Sequence, residues 1–77
     1  MELIDPNNAA EIFFDNAHEV RIVGGLVRSV LFARQDGTGI VVARLAQPVT
    51  ELPDLIQLLV LALAEAARAG VRPATDQ

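Results

Sequence analysis

Residues 52–69 constrain this chain most, because they predict one helix with more apolar side chains than a small monomer can bury. At about 100° per residue, the polar side chains gather on one edge and leave a broad apolar face. The polar edge holds Asp54, Gln57, Glu65 and Arg68, and the apolar face holds Leu52, Ile56, Leu59, Val60, Leu63, Ala66 and Ala67. Leu58 and Leu61 fall on or beside the polar edge. The helix therefore predicts a partner beyond its own chain.

Chain length supports the same expectation. A domain of 77 residues buries only about 60% of its unfolded surface and gains little stability from its own core. Small domains usually compensate with disulfides, a metal or oligomerisation, and this chain has no Cys and one His. Since 52% of the residues are hydrophobic, the chain should fold. We therefore expect a homo-oligomer, most simply a dimer.

The chain divides into an arm, one domain and a tail. Turn-forming residues at 5–8 without any periodicity predict a flexible N-terminal arm over residues 1–10. Residues 11–70 form the single domain. Gly70 and Pro73 are typical of a helix end, so residues 71–77 are predicted to be a frayed tail.

Three β-rich stretches precede the helix, at residues 11–15, 19–34 and 40–49. Gly24-Gly25 splits the middle stretch, because paired glycines favour the primed turns of two-residue hairpins. The predicted fold class is α+β. It is a four-stranded antiparallel β-meander followed by one C-terminal α-helix that packs on one sheet face, in the order β-β-β-β-α.

A turn at Gly24-Gly25 places Arg21 opposite Arg28 and sorts the strands into two faces, neither plainly polar. One helix covers one face, so a two-fold partner is predicted to cover the rest. Either the uncovered sheet faces pack together, or edge strands join into a continuous sheet while the helices exchange their Leu58 and Leu61 contacts, and the sequence does not choose between them. The predicted oligomer interface comprises Ile12, Phe14, Val30, Phe32, Leu58 and Leu61. The Asp36-Gly37 turn and the glycine after Thr38 leave the register of the last strand open, and with it the face of Arg44.

Two arginines directly opposite each other are unfavourable unless an anion lies between them. Glu19 can supply that charge in a surface Arg-Glu-Arg cluster. Alternatively, Arg21 and Arg28 bind a small anion or an acidic ligand. Both interpretations stay open.

Catalytic and metal chemistry find little support in the sequence. Asp15, His18 and Glu19 are permissible metal ligands, but the predicted hairpin turns Glu19 away from the other two, so no metal site is predicted. Ser29 is the only serine and has no base beside it, so we predict no enzyme activity and no cofactor. The glycines lie between strands and not before a helix, unlike a phosphate-binding loop.

A formal net charge of −4 and a pI near 4.6 argue against nucleic-acid binding and against binding to anionic membranes. The apolar run at residues 55–64 is too short to span a bilayer. Acidic residues near Met1 are unlike a secretory signal. We expect a cytoplasmic protein.

The motifs EIFFDNA at 11–17, VRIVGGLVR at 20–28 and VVARLAQPV at 41–49, before an apolar helix, give the chain a resemblance to short uncharacterised bacterial proteins. The resemblance covers roughly residues 10–67. It implies the meander-plus-helix architecture and a bacterial or phage origin, and it implies no catalytic residue.

These features together predict a protein-interaction or assembly module that self-associates and can bind a protein partner. Two alternatives follow from charge: a small-anion or acidic-ligand binding module that uses Arg21 and Arg28, and an acidic, antitoxin-like partner of a basic protein.

Overall fold

A computed structural model describes residues 1–71 of the chain. These residues contain three strands, β1 (Asn16–Val23), β2 (Leu26–Gln35) and β3 (Thr38–Pro48), in one antiparallel sheet of order β1-β2-β3. A 3-10 turn (Val49–Glu51) leads directly into one helix, α1 (Leu52–Arg68). The architecture is α+β, in the order β-β-β-α. All but the first residue of the predicted tail, 71–77, lies outside the described residues.

Both hairpins are two-residue turns in the left-handed conformation. The φ angles are +59° and +76° at Gly24 and Gly25, and +52° and +79° at Asp36 and Gly37. Such turns match the right-handed twist of the flanking strands. The first turn pairs Arg21 with Arg28, as the sequence predicts.

The predicted fourth strand, residues 11–15, is wrong. It required a turn at Asn16 and Ala17, but both residues belong to β1, opposite Phe32 and Leu31. Ala at this position does not favour the positive φ of a tight hairpin turn. Asp15 instead continues alongside β2, where its N–H donates to the carbonyl of Phe32 at 2.8 Å. The chain before Asp15 forms no strand, so the arm extends through residue 14.

Two β-bulges flank the middle of β2. The β1 register shifts between Ala17 and Glu19, which leaves His18 without a partner, and the β3 register shifts opposite Leu31 and Phe32, which leaves Val42 without one. A bulge adds one residue to one strand and reverses the faces of the residues beyond it. Each bulge therefore decides which residues of an outer strand share a face with β2.

Cross-strand partners lie on the same face, so the register defines two surfaces. The uncharged face has no ionisable side chain. It carries Ala17, Val20, Ile22, Val27, Ser29, Leu31, Ala33, Gln35, Thr38, Ile40, Ala43, Leu45 and Gln47. The arginine face carries Glu19, Arg21, Val23, Leu26, Arg28, Val30, Phe32, Arg34, Gly39, Val41, Arg44 and Ala46.

Helix α1 ends as its sequence predicts. Gly70 has a φ of +83°, its N–H donates to the carbonyl of Ala67, and the N–H of Val71 donates to the carbonyl of Ala66 at 2.8 Å. This pair of bonds satisfies carbonyls that the last helical turn leaves open. At the other end, the N–H of Val49 donates to the carbonyl of Gly25 at 2.9 Å. This bond ties the start of the helical segment to the β1–β2 turn.

The expectation that the helix packs on its own sheet is wrong. No residue of α1 is buried, and within residues 1–71 the helix meets no strand over an extended surface. Among residues 1–71, the buried core is limited to Val27 and Leu31, both on the central strand. With three residues between β3 and α1, the chain leaves the sheet without turning back over it. Both the helix and the sheet faces therefore stay largely uncovered.

Candidate interaction surfaces

The predicted interface residues lie on three separate parts of the molecule. Val30 and Phe32 are half-buried on the arginine face of β2. Ile12 and Phe14 are exposed in the arm, outside the sheet, so they do not join the arginines as the four-stranded interpretation required. Leu58 and Leu61 are exposed on α1. The structure thus brings together only one pair on the sheet and one pair on the helix.

The apolar surface of α1 is nearly continuous. Beyond the half-buried Leu52, its large aliphatic side chains keep between 39% and 63% of their surface exposed. They are Leu55, Ile56, Leu58, Leu59, Val60, Leu61 and Leu63. At 100° per residue, the apolar arc covers roughly 240° of the helix circumference. An arc of that width needs neighbours on more than one side.

The uncharged face is a second large apolar surface. Its most exposed aliphatic side chains are those of Ile22 (66%), Val20 (63%), Leu45 (52%) and Ile40 (44%). The bulges keep charge away from it. Without the bulge at Val42, the turn at Asp36-Gly37 would place Arg44 opposite Ser29 on this face. Without the bulge at His18, the imidazole would likewise lie opposite Leu31.

The other face carries four arginines, and three of them lie close together. Arg21 lies directly opposite Arg28, and Arg44, opposite Val30, belongs to the next cross-strand row. They line a cavity of about 240 Å³ with Glu19, Ser29, Val30 and Leu45. In the part of the chain that the structure describes, the only ion pair joins Arg68 to Glu65, so none of these arginines forms an ion pair there, and Glu19 is the one acidic residue in the cavity lining. The cavity concentrates positive charge on an otherwise acidic protein.

Sequence reasoning found Arg21 and Arg28 but did not place Arg44. Counting residues from the Asp36-Gly37 turn assigns Arg44 to the wrong face, because the count cannot anticipate the extra residue at Val42. The run of three β-branched residues at 40–42 carries no signal that distinguishes a bulge from a regular strand. The third arginine therefore became visible only in the structure.

A second cavity, of about 360 Å³, lies toward the other end of the arginine face. It is lined by His18, Val30, Phe32, Gly39 and Val41. The Arg34 guanidinium lies 5.3 Å from the centroid of the Phe32 ring, a cation–π distance. A Cβ added to Gly39 would lie 3.3 Å from that ring, so the glycine makes room for it. The cavity is mostly apolar and suits a partner side chain.

The residues examined for metal binding do not form a ligand set. Asp15 uses its carboxylate to accept the backbone N–H of Arg34 at 2.6 Å. The bulge turns His18 toward Phe32 and Val41. Residues 1–71 contain no group of three or more His, Cys, Asp or Glu that could hold a metal ion. Ser29 lies between Val20 and Leu45 in the sheet.

No helix among residues 1–71 combines the length and the apolarity that crossing a membrane requires. Comparison with protein families, with curated proteins and with solved structures finds no match to this chain. The resemblance to short bacterial proteins therefore stays a prediction.

Proposed function

We propose that this chain is one subunit of a homo-oligomer, most simply a two-fold dimer, and that it acts as a protein-interaction or assembly module. One observation carries the proposal: a regular helix of 17 residues, closed at its C-terminus by the bonds at Gly70 and Val71, has no buried residue. Isolated helices of this length are marginal in water, and helices in proteins gain most of their stability from packing an apolar face. Helix α1 has the apolar face but lacks a packing surface within residues 1–71.

The dimensions of the chain support the proposal. Its accessible surface is 7013 Å², whereas a compact monomer of 8.2 kDa exposes about 4,500 Å². Its radius of gyration is 14.9 Å, against about 11–12 Å for a compact domain of this length. The arm accounts for part of this difference. An excess of roughly 2,500 Å² is nevertheless in the range that one chain buries in an obligate dimer.

The helix alone offers a large stabilisation to any oligomer that covers it. Full burial of one aliphatic side chain contributes about 1.5–3 kcal/mol. Seven such side chains, each about half exposed, therefore offer on the order of 6–11 kcal/mol. That value is comparable to the whole stability of a typical domain, about 5–15 kcal/mol. Association and folding of this chain are therefore expected to be coupled.

The experiment is a charge substitution on the helix followed by light scattering. Leu63→Glu is expected to convert the oligomer to monomer or to unfold it, because the new carboxylate would be buried without a partner. Gln57→Glu is the matched control, since it adds the same charge on the polar edge of the same helix. An unchanged oligomer mass for Leu63→Glu would count against the apolar face of the helix as the interface.

A second candidate function rests on the three arginines around the 240 Å³ cavity. We propose that Arg21, Arg28 and Arg44 together bind a small anion or the carboxylates of an acidic partner. Arginine suits this role because its planar guanidinium donates two hydrogen bonds at once to phosphate or carboxylate. The arrangement is also costly without an anion, since Arg21 and Arg28 are directly opposed.

Inorganic phosphate and a short polyglutamate peptide are suitable probes for this site. Each is expected to raise the melting temperature of the parent protein, and Arg28→Ala should abolish that increase without changing the oligomer mass. Arg68→Ala, which removes an arginine paired with Glu65 on the helix, is the control. If neither probe raises the melting temperature of the parent, the anion-binding proposal is refuted.

A further inference from the structure

The two surplus apolar surfaces of this chain suggest how the subunits meet. Within residues 1–71, each chain presents one helix without a packing surface and one sheet face without any ionisable side chain. Face-to-face packing of two sheets would leave both helices exposed, and pairing of two helices would leave both sheets exposed. In a closed two-fold dimer, reciprocal exchange covers the uncharged face and the middle of the helical apolar arc at once.

We propose that helix α1 of each protomer packs on the uncharged face of its partner. This inference rests on the proposed homo-oligomer and specifies its interface. The occupant of the uncharged face is a second copy of the chain, and the contact occurs twice in each dimer. The arginine face then points away from the exchanged helix and stays available to another ligand or partner.

The dimensions of the two surfaces agree. A helix of 17 residues is about 25 Å long. The strands contain 8 to 11 residues, which corresponds to about 26–36 Å. Three strands at about 4.8 Å spacing span a width close to the diameter of one helix. One helix is therefore long enough and wide enough to cover one face of the three-stranded sheet.

The chemistry of the two surfaces agrees as well. The middle of the helical apolar arc is formed by Leu59, Leu63 and Ile56, and no charged side chain lies within that arc. On the sheet, the two bulges have the same effect: one moves Arg44 off the uncharged face and the other moves His18 off it. Such a face suits an apolar surface, since neither an arginine nor an imidazole has to be desolvated when it is covered.

The route of the chain also favours exchange over intramolecular packing. The 3-10 turn holds the start of the helical segment against the β1–β2 turn through the Val49–Gly25 hydrogen bond, and α1 then leaves the sheet. Packing on its own sheet would need a longer connection or the loss of that bond. Packing on a second copy needs neither.

Single cysteines test this arrangement, because the chain has none of its own. Leu59→Cys places a thiol at the centre of the helical apolar arc. Val20→Cys and Leu45→Cys each place a thiol on the uncharged face, at the two ends of the cross-strand row that passes through Ser29. Arg21→Cys and Ala46→Cys occupy the ends of the adjacent row, through Arg28, on the arginine face. The helix variant is mixed in denaturant with one sheet variant, refolded and mildly oxidised. Intact mass then identifies each cross-linked pair.

The proposal predicts that Leu59→Cys links to Val20→Cys or Leu45→Cys at least tenfold more than to Arg21→Cys or Ala46→Cys. Because the two thiols start on different chains, each such link joins two protomers. Equal or stronger linking to the arginine-face variants overturns the exchange, as does exclusive linking of Leu59→Cys to itself. Neither result changes the mass of the dimer, so neither refutes the proposed homo-oligomer. A folded monomer by light scattering would instead refute the proposed function itself.

Discussion

Leu59→Glu places a charge at the centre of the apolar arc of α1 and is expected to weaken association far more than it destabilises the single chain. In the single chain, Leu59 keeps 59% of its surface exposed, so the substitution removes little burial there and costs roughly 1 kcal/mol. In the oligomer, the exposed part would be covered. Losing that burial costs about 1–2 kcal/mol, and an unpaired buried carboxylate adds several more. The total of at least about 4 kcal/mol raises the dissociation constant at least 10³-fold.

The assay is sedimentation velocity over a dilution series, with far-ultraviolet circular dichroism on the same samples. Gln57→Glu adds an identical charge to the polar edge of the same helix and is expected to change the dissociation constant less than about fivefold, the order seen for solvent-exposed charges. If the two variants have equal dissociation constants, the apolar arc does not form the interface. The reasoning from exposed surface to association would then be wrong.

Three further substitutions test local features of the sheet. Gly25→Ala should lower the free energy of unfolding by about 1–2 kcal/mol in urea titrations, because its φ of +76° is left-handed. Gly24→Asn should lower it much less, because Asn tolerates that conformation, and equal losses for the two variants would contradict the turn assignment. Gly39→Ala brings a Cβ to 3.3 Å from the Phe32 ring, so about 1 kcal/mol should be lost, and an unchanged urea midpoint would show that the ring moves freely. Asp15→Ala removes the acceptor of a β2 backbone N–H, so hydrogen exchange of that amide should accelerate at least severalfold, and unchanged protection would rule out the bond.

Local chemistry explains which parts of the fold the sequence predicts. The paired glycines at 24–25 require positive φ, so the turn fixes the register of β1 and β2 and places Arg21 opposite Arg28. Gly70 and Val71 specify the helix end through two backbone hydrogen bonds. Each of these features depends on residues within one turn of each other. The predictions were correct for that reason.

The errors concern interactions between distant residues. Residues 11–15 have the composition of a strand, but Asp15 bonds to β2 and the next two residues enter β1, so no hairpin turn remains. The bulge at Val42 decides the face of Arg44, and the bulge at His18 decides the face of His18 itself. No residue with a turn preference marks either position in the sequence. The helix itself was predicted correctly over its length, but periodicity describes only which face is apolar. It does not say which chain covers that face.

The mass of the unaltered protein in solution tests the central claim most directly. Sedimentation equilibrium from high to low micromolar concentration, with thermal unfolding at each concentration, measures association and stability together. The homo-oligomer predicts a folded species of at least twice 8.2 kDa and a melting temperature that rises with concentration. A folded species of 8.2 kDa with one melting temperature at every concentration would contradict it.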